Sequence, residues 1–294
     1  MALHPEIPPE IPKAFVCGWP ITHSRSPLIH GYWLQKYGLV GSYEKIAIHP
    51  DELETFVRSL KKSGFKGGNF TIPHKEEVLK LVDRLDPAAR KIGAVNTFWF
   101  EEGELVGGNS DWTGFAASLD QGAPGWDCDD RRTRPAMVLG AGGAARGIVY
   151  ALRQRGFENI IIINRTISNA VRLAEDFGNS VTAASFNALE TMRSDMTLLV
   201  NTTSLGMTGQ QSLPPELVGF VHRMNRKAIV NDIVYIPLET QLLALANRLG
   251  FETVDGLGML LHQAVHGFEH WFGVKPEVTE ELRELVLRDI VESQ

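Results

Sequence analysis

Short apolar runs alternate with longer segments of helical periodicity along the second half of the chain. The runs Ile160–Ile163 and 196–200 are almost wholly apolar, as expected for strands buried on both faces of a parallel sheet. Between them, segments such as 148–152 and 240–249 space apolar residues three or four positions apart, which predicts helices. Strands and helices that alternate in this way form a doubly wound sheet, so the pattern predicts an α/β protein.

The first half of the chain shows a second set of strands and helices. Runs at 13–18 and 42–48 predict strands, and 51–63 predicts a helix capped by Asp51 with Glu54 three residues later. Two runs, 93–100 and 104–106, predict a hairpin that turns at Glu102-Gly103. The segment 122–133 is charged and predicts an exposed connection between the two halves.

A glycine-rich turn follows the apolar run at 137–139. Gly140, Gly142 and Gly143 stand within four positions, and apolar residues then resume at helical spacing. Glycines allow a sharp strand-to-helix turn, and the bare N–H groups at a helix N-terminus attract a pyrophosphate. With Ala145 at its third small position, the turn fits the dinucleotide-binding fingerprint.

The strand after this turn ends in Asn164, Arg165 and Thr166. A cofactor without a 2′-phosphate usually meets an acidic residue at this point, and none is present. Arg165 carries a planar, charged guanidinium that suits a phosphate. The segment therefore predicts NADP(H) rather than NAD(H), while a plain parallel α/β domain with an exposed arginine remains the alternative.

Three polar positions in the first half each allow a structural and a functional interpretation. Ser26 precedes Pro27 as a helix cap would, but Ser24 and Ser26 together at a helix N-terminus also form a plausible carboxylate cradle. Lys75 falls near a first helical turn, where the helix dipole disfavours a cation, although an ordinary exposed lysine is the commoner explanation for a single Lys. Asp111 can simply cap the helix that follows it.

Composition narrows the class of protein. The chain has 294 residues, 44% hydrophobic and 22% charged, which is ordinary for a globular protein with room for two domains. A net charge of −6 argues against nucleic acid as the main partner. No apolar run is long enough to span a membrane, and the proline-containing N-terminus is predicted to be a short disordered lead rather than a signal peptide. Two cysteines far apart, Cys17 and Cys128, suit a reducing cytoplasm.

Three histidines repeat along one predicted helix near the C-terminus. His262, His266 and His270 stand at i, i+4 and i+8, a spacing that can bind a metal. No accompanying carboxylate or thiolate is clearly placed as a further ligand. Half-buried helix histidines are the favoured interpretation, and no metal is predicted.

Taken together, these segments resemble the shikimate dehydrogenase family over nearly the whole chain and in order. The matching segments are SRSP at 24–27, NFTIPHK at 69–75, GAVNT at 93–97, GNSD at 108–111, GAGGAA at 140–145, NRT at 164–166, NTTSLGM at 201–207, DIVY at 232–235 and DGLGMLLHQ at 255–263.

The resemblance implies a substrate-binding domain of α/β type, 1–114 with 256–294, and a Rossmann-type NADP-binding domain, 115–255. It implies reduction of 3-dehydroshikimate to shikimate in the cleft between them, by a monomer or homodimer, with Lys75 and Asp111 as the catalytic pair. The substrate residues it implies are Ser24, Ser26, Asn69, Thr71, Asn96, Tyr235 and Gln263. The cofactor residues are Gly140, Ala141, Gly142, Gly143, Ala144, Asn164, Arg165, Thr166, Thr203, Ser204, Gly256 and Met259.

The chemistry of a ketone reduction agrees with these residue types. The alkoxide left by hydride transfer needs a proton, which a lysine oriented by a carboxylate can donate and later accept. The sequence departs from the family at Trp112, where a glycine is usual, at Asn169, where a second basic residue is usual, and at Ser110, usually a threonine. Trp112 is expected to narrow the cleft or to shift the substrate preference toward quinate, and Asn169 is expected to weaken discrimination against NAD. A quinate or dual-substrate dehydrogenase and a non-catalytic regulatory paralogue are the alternatives.

Overall fold

The computed structural model describes residues 11–207, 209 and 211–292. The disordered lead predicted for the N-terminus falls on residues 1–10 and lies outside this described part. The strands are β1 Lys13–Gly18, β2 Ser42–Ala47, β3 Phe65–Phe70, β4 Arg84–Leu85, β5 Thr97–Glu101, β6 Glu104–Gly108, β7 Ala136–Leu139, β8 Ile160–Ile163, β9 Val181–Ala184, β10 Leu198–Asn201, β11 Ile229–Asp232 and β12 Glu252–Val254.

Helices connect these strands and flank both sheets. They are α1 Ser26–Lys36, α2 Leu53–Ser59, α3 Lys75–Val78, α4 Pro87–Ile92, α5 Asp111–Gly122, α6 Asp129–Arg132, α7 Gly143–Gln154, α8 Ile167–Phe177, α9 Pro215–Arg223, α10 Gln241–Arg248, α11 Leu257–Phe272 and α12 Glu280–Glu292. Short 3₁₀ turns span Pro50–Glu52, Leu60–Lys62 and Phe186–Glu190.

The second half of the chain forms a parallel sheet in the order β12-β11-β10-β7-β8-β9. This strand order reverses direction next to β7, which is the arrangement of a Rossmann-type doubly wound fold. One apolar core packs α7 and α8 against the sheet, and another packs α9 and α10 on the opposite face. The predicted doubly wound sheet is confirmed.

The first half forms a mixed sheet in the order β2-β1-β3-β5-β6-β4. β1 pairs in parallel with both β2 and β3, whereas β5 pairs antiparallel with β3 and β6, so the predicted hairpin is confirmed. Helix α11, from the C-terminal end of the chain, packs against this sheet and against α5. The chain therefore returns to its first domain after completing the second.

Two local predictions are wrong. The segment 51–63 is not one helix, because 3₁₀ turns flank α2, and the Asp51 cap is replaced by His49, whose Nδ1 accepts from Asp51 N at 3.4 Å. The charged segment 122–133 is not wholly exposed. It contains α6 and buries Trp126, whose ring stacks on Phe157 with centroids 5.6 Å apart.

A glycine in β3 allows α11 to approach the first sheet closely. A Cβ atom at Gly67 would lie 2.1 Å from Trp271 Nε1 and 2.3 Å from Phe98 O. Trp271 Nε1 donates a hydrogen bond to that same carbonyl at 2.8 Å. The contact fixes the returning helix on the sheet that carries much of the polar cleft described below.

We expect Gly67→Ala to destabilise the protein by about 1–3 kcal/mol, because an added methyl group must displace the Trp271 ring. Gly31→Ala is the matched control, since Gly31 lies exposed in α1 with nothing within 4 Å of an added Cβ. That control should be neutral or stabilising by roughly 0.5–1 kcal/mol. Urea unfolding of both variants measures the difference, and equal stability of Gly67→Ala and wild type would contradict this packing argument.

Candidate active site

A cleft of about 400 Å³ opens between the two sheets. Residues from both halves of the chain line it, among them every catalytic and substrate position predicted from the sequence. These are Ser24, Ser26, Asn69, Thr71, Lys75, Asn96, Asp111, Tyr235 and Gln263, together with the predicted cofactor residues Gly256 and Met259.

An ion pair between two helix N-termini lies in the wall of this cleft. Lys75 begins α3 and Asp111 begins α5, and Lys75 Nζ lies 2.7 Å from Asp111 Oδ2. Their side chains are 28% and 18% exposed, so both remain open to a ligand. Ser110, not Asp111, occupies the cap position of α5. The prediction that Asp111 simply caps its helix is therefore wrong, because its carboxylate is engaged by a lysine.

A buried amide holds the other oxygen of this carboxylate. Asn96 Nδ2 donates to Asp111 Oδ1 at 2.8 Å and to Ser110 Oγ at 3.1 Å. Asn96 Oδ1 accepts from Ser110 N at 2.8 Å, and the side chain is only 2% exposed. Since both N–H groups and the carbonyl are occupied, Asn96 fixes the orientation of Asp111 toward Lys75.

Asn69, on the neighbouring strand β3, extends the same network. Its Nδ2 donates to Asn96 O at 3.0 Å and to Thr97 Oγ1 at 2.9 Å, while its Oδ1 accepts from Tyr43 OH at 2.5 Å. Burial raises the pKa of Tyr43, so the phenol stays protonated and can donate. The sequence pattern does not indicate that Tyr43 and Thr97 belong to this network, because only the pairing of the strands places them beside Asn69.

The two serines lie where the chain enters α1. Ser26 is the first residue of the helix rather than its cap, and its backbone N–H donates to Ser24 Oγ at 3.3 Å. The prediction of a Ser26 cap is therefore wrong, since Arg25 occupies the cap position and makes no side-chain cap bond. Both hydroxyls line the cleft, as does Tyr235, whose pKa is raised by burial.

Two further predicted substrate residues complete the cleft wall. Thr71 follows β3 directly and accepts a backbone bond from His74 through its carbonyl at 2.8 Å. Gln263 lies on α11, and its Nε2 donates to Leu260 O at 3.1 Å. Both residues line the cleft, so α11 and the segment after β3 each add a polar side chain to its wall.

The glycine-rich turn leaves open space at the N-terminus of α7. Gly140 has a φ of +107°, and a Cβ there would lie 2.5 Å from Thr202 Oγ1, so the turn requires glycine. Gly142 and Gly143 would meet nothing within 4 Å if a Cβ were added. No side chain caps α7, whose cap position is Gly142, so its first N–H groups face open space between Ala141 and Ala144. This shape fits the phosphates of a dinucleotide.

The carboxyl end of β8 carries the predicted recognition residues for a 2′-phosphate. Asn164 Nδ2 donates to Thr166 O at 2.8 Å, which shapes the turn. Arg165 is exposed and makes no hydrogen bond or ion pair within the described residues. Asn169 accepts from Arg172 at 3.2 Å, so a second guanidinium lies one helical turn away from the position usual for a basic residue.

The loop after β10 borders the same open space. Thr203 Oγ1 donates to Asn201 Oδ1 at 2.6 Å and accepts from Leu205 N at 3.1 Å, so its hydroxyl stabilises the loop. Ser204 is exposed. At the cleft side of this sheet, Asp232 is buried and its pKa is raised by burial, although the Asn201 amide opposes that rise.

The three histidines of α11 lie against other protein side chains. His262 Nε2 lies 2.8 Å from Gln121 Oε1, and His270 stacks on Trp99 with ring centroids 4.1 Å apart. Burial lowers the pKa of His262, His266 and His270. Within the part of the chain that the structure describes, no group of three or more histidines, cysteines or acidic residues could hold a metal ion. Among the same residues, no helix has the length and apolar content to cross a membrane.

A Rossmann-type sheet, an open glycine-rich turn and a Lys–Asp pair in the adjoining cleft are together the features of a dinucleotide-dependent oxidoreductase. Family models match three segments: "Shikimate dehydrogenase substrate binding domain" at 16–98, "Shikimate / quinate 5-dehydrogenase" at 127–208 and "Shikimate 5'-dehydrogenase C-terminal domain" at 256–287. The chain belongs to the shikimate dehydrogenase family.

Individual relatives agree with this assignment. The chain is 54% identical to shikimate dehydrogenase (NADP(+)) of Mesorhizobium japonicum over 95% of this chain and 97% of that protein. The structure resembles shikimate 5-dehydrogenase from Thermus thermophilus, solved with NADP(H) and shikimate, with 34% identity and a TM-score of 0.81 over 95% and 99% of the two chains. It also resembles quinate dehydrogenase from Corynebacterium glutamicum, solved with NAD, with 29% identity and a TM-score of 0.83 over 95% and 99%.

Proposed function

We propose that this protein is an NADP-dependent shikimate dehydrogenase that reversibly reduces 3-dehydroshikimate to shikimate. The observation that carries the proposal is the Lys75–Asp111 pair, 2.7 Å apart in a polar cleft beside a phosphate-binding turn. The 54% identity to a protein named for this activity supports the choice of substrate and cofactor. We expect the enzyme to be cytoplasmic and to act as a monomer or homodimer.

Lys75 is the proton donor and acceptor in this proposal. NADPH held by the α7 turn and Arg165 would supply the hydride for the carbonyl carbon of the substrate, which leaves the electron pair of the C=O bond on the carbonyl oxygen. That oxygen takes a proton from the Lys75 ammonium, and the partly exposed amine recovers a proton from water. Asp111 orients Lys75 and balances its charge, because its own carboxylate is held in place by Asn96.

The substrate residues divide by what they can offer a ligand. Ser24 and Ser26 carry hydroxyl donors, which suit a carboxylate, and Tyr235 lies in the same cleft. Thr71 and Gln263 offer polar atoms to ring hydroxyls. Asn69 has both N–H groups bound within the protein and its Oδ1 accepts from Tyr43, so its remaining capacity is to accept one further hydrogen bond through Oδ1. A substrate hydroxyl satisfies that requirement, since it can donate.

The cofactor residues form two groups in this proposal. The open N-terminus of α7, at 140–144, receives the pyrophosphate, and Arg165 with its neighbours Asn164 and Thr166 receives the 2′-phosphate. Gly256 and Met259 line the cleft, whereas Thr203 and Ser204 lie in the loop after β10, beside Gly140, and we assign all four to the cofactor. We assign the substrate to a first domain, 1–114 with 256–294, and the cofactor to a second, 115–255; the two separate sheets support this division.

A dehydrogenase with quinate as its main substrate is the second candidate, favoured by the likeness to a quinate dehydrogenase and by the presence of Trp112 in the sequence. The position of the Trp112 ring in the structure weakens this candidate. Its ring packs edge-on against Tyr150, 5.3 Å between centroids, and against the apolar cluster of α4. It is not among the residues that line the cleft, so the expected narrowing of the cleft by this ring has no structural support.

Initial rates of cofactor reduction with shikimate and quinate, each with NADP and NAD, test the proposal. We expect shikimate with NADP to give the highest kcat/KM of the four pairs.

Lys75→Met should lower kcat by about a hundredfold or more, because proton transfer is lost. Lys80→Met is the matched control, since Lys80 lies five residues further along the chain, is exposed, and pairs with the exposed Glu77. Preferred turnover of quinate, or full activity of Lys75→Met, would contradict the proposal.

A second experiment separates packing from specificity at Trp112. Trp112→Ala should destabilise the protein by about 3 kcal/mol through lost contact with Tyr150, whereas Trp112→Phe should cost less. Both variants should keep the wild-type ratio of shikimate to quinate kcat/KM within about twofold, since the ring does not face the cleft. Thermal unfolding and the same rate assay measure the two effects. A switch toward either substrate would show that Trp112 sets specificity.

A further inference from the structure

A buried arginine stands between the two serines of the cleft. The side chain of Arg25 is 8% exposed, and it lines the cleft beside Ser24 and Ser26. A buried guanidinium keeps its charge and needs anionic or polar partners in compensation. The contacts that Arg25 makes within the protein therefore show whether its charge is fully matched.

Those contacts leave part of the charge unmatched. Arg25 Nη1 donates to His23 O at 2.8 Å. Its Nε lies 3.0 Å from Asp289 Oδ2 on α12, but the N–H group makes no aligned hydrogen bond and is buried. Asp289 is 44% exposed, so water weakens its attraction for the guanidinium. The ion pair alone is a weak partner for a buried cation.

The charge of Arg25 acts on the cleft itself. Burial raises the pKa of Tyr235 in the cleft wall, and the positive charge of Arg25 opposes that rise. The cleft wall also carries Lys75, which already pairs with Asp111 at 2.7 Å. An anion placed against the two serine hydroxyls would therefore meet in Arg25 a positive charge whose partner, Asp289, is 44% exposed to water.

We propose that Arg25 is a binding residue for the substrate carboxylate, and that Asp289 of α12 holds its guanidinium at the serine cradle. This inference rests on the proposed function. Serine hydroxyls donate hydrogen bonds to a carboxylate or to a neutral carboxamide, so they cannot by themselves select the anion. A buried cation behind them discriminates between the two, because a charge-assisted interaction is stronger than a neutral one.

The test compares shikimate with its carboxamide in wild type, Arg25→Met and Arg25→Lys. Arg25→Met keeps most of the apolar stem and removes the charge. We expect it to raise the KM for shikimate about tenfold or more while kcat and the KM for NADP change little. The kcat/KM for the carboxamide should stay within about twofold of wild type. Arg25→Lys, which keeps a charge, should discriminate between acid and amide more than Arg25→Met does.

Asp289→Asn provides an independent measurement. Asp289 is exposed, so we expect this variant to fold even if Arg25→Met does not. Because Asp289 holds the guanidinium at the serine cradle, its neutralisation should raise the KM for shikimate, by less than Arg25→Met does, and leave the kcat/KM for the carboxamide unchanged. Equal losses for acid and amide in Arg25→Met, or a raised KM for both in Asp289→Asn, would overturn the inference and show a structural role. Failure of wild type to oxidise shikimate would instead refute the proposed function.

Discussion

The ion pair between Lys75 and Asp111 is the interaction that the rest of the active site depends on. Both residues begin helices, and the two helices follow different strands of the first sheet. Neither residue could hold the other in place alone, because an ion pair that water can still reach contributes little. The buried amide of Asn96 supplies the missing rigidity, since it binds the second carboxylate oxygen at 2.8 Å and is itself bound on all sides.

The amide network explains why the site is built on a sheet. Asn69 lies on β3, Asn96 precedes β5 and Thr97 begins β5, and these strands pair directly. Side chains on neighbouring strands are fixed within a few tenths of an ångström by the backbone ladder, which loops do not provide. The returning helix α11, anchored by Trp271 on the same sheet, then closes the cleft from the other end of the chain.

Much of this arrangement could be predicted from the sequence. The apolar run Ile160–Ile163 and the glycines around Gly142 determine a strand, a turn and a helix almost by themselves, because few other residues permit that geometry. Helix starts were harder to predict. Ser26 and Asp51 both have the side chains of caps, yet Arg25 and His49 occupy those positions.

Contacts between distant segments could not be predicted. Tyr43 reaches Asn69 only because β1 lies between β2 and β3, and Arg25 meets Asp289 only because α12 packs near α1. Trp112 follows Asp111 in sequence but turns toward Tyr150, since successive residues of a helix point in different directions. Local pattern therefore identifies the elements, and the tertiary fold decides which side chains share the cleft.

The central claim is that Lys75 and Asp111 act as one unit, and a double-mutant cycle on kcat/KM tests it most directly. Lys75→Met, Asp111→Asn and the double variant would each be measured for NADP-dependent oxidation of shikimate. If Asp111 serves chiefly to orient Lys75, the double variant will be no more than a few-fold slower than Lys75→Met alone. Losses that multiply in the double variant would show that the two residues act independently and would contradict this account.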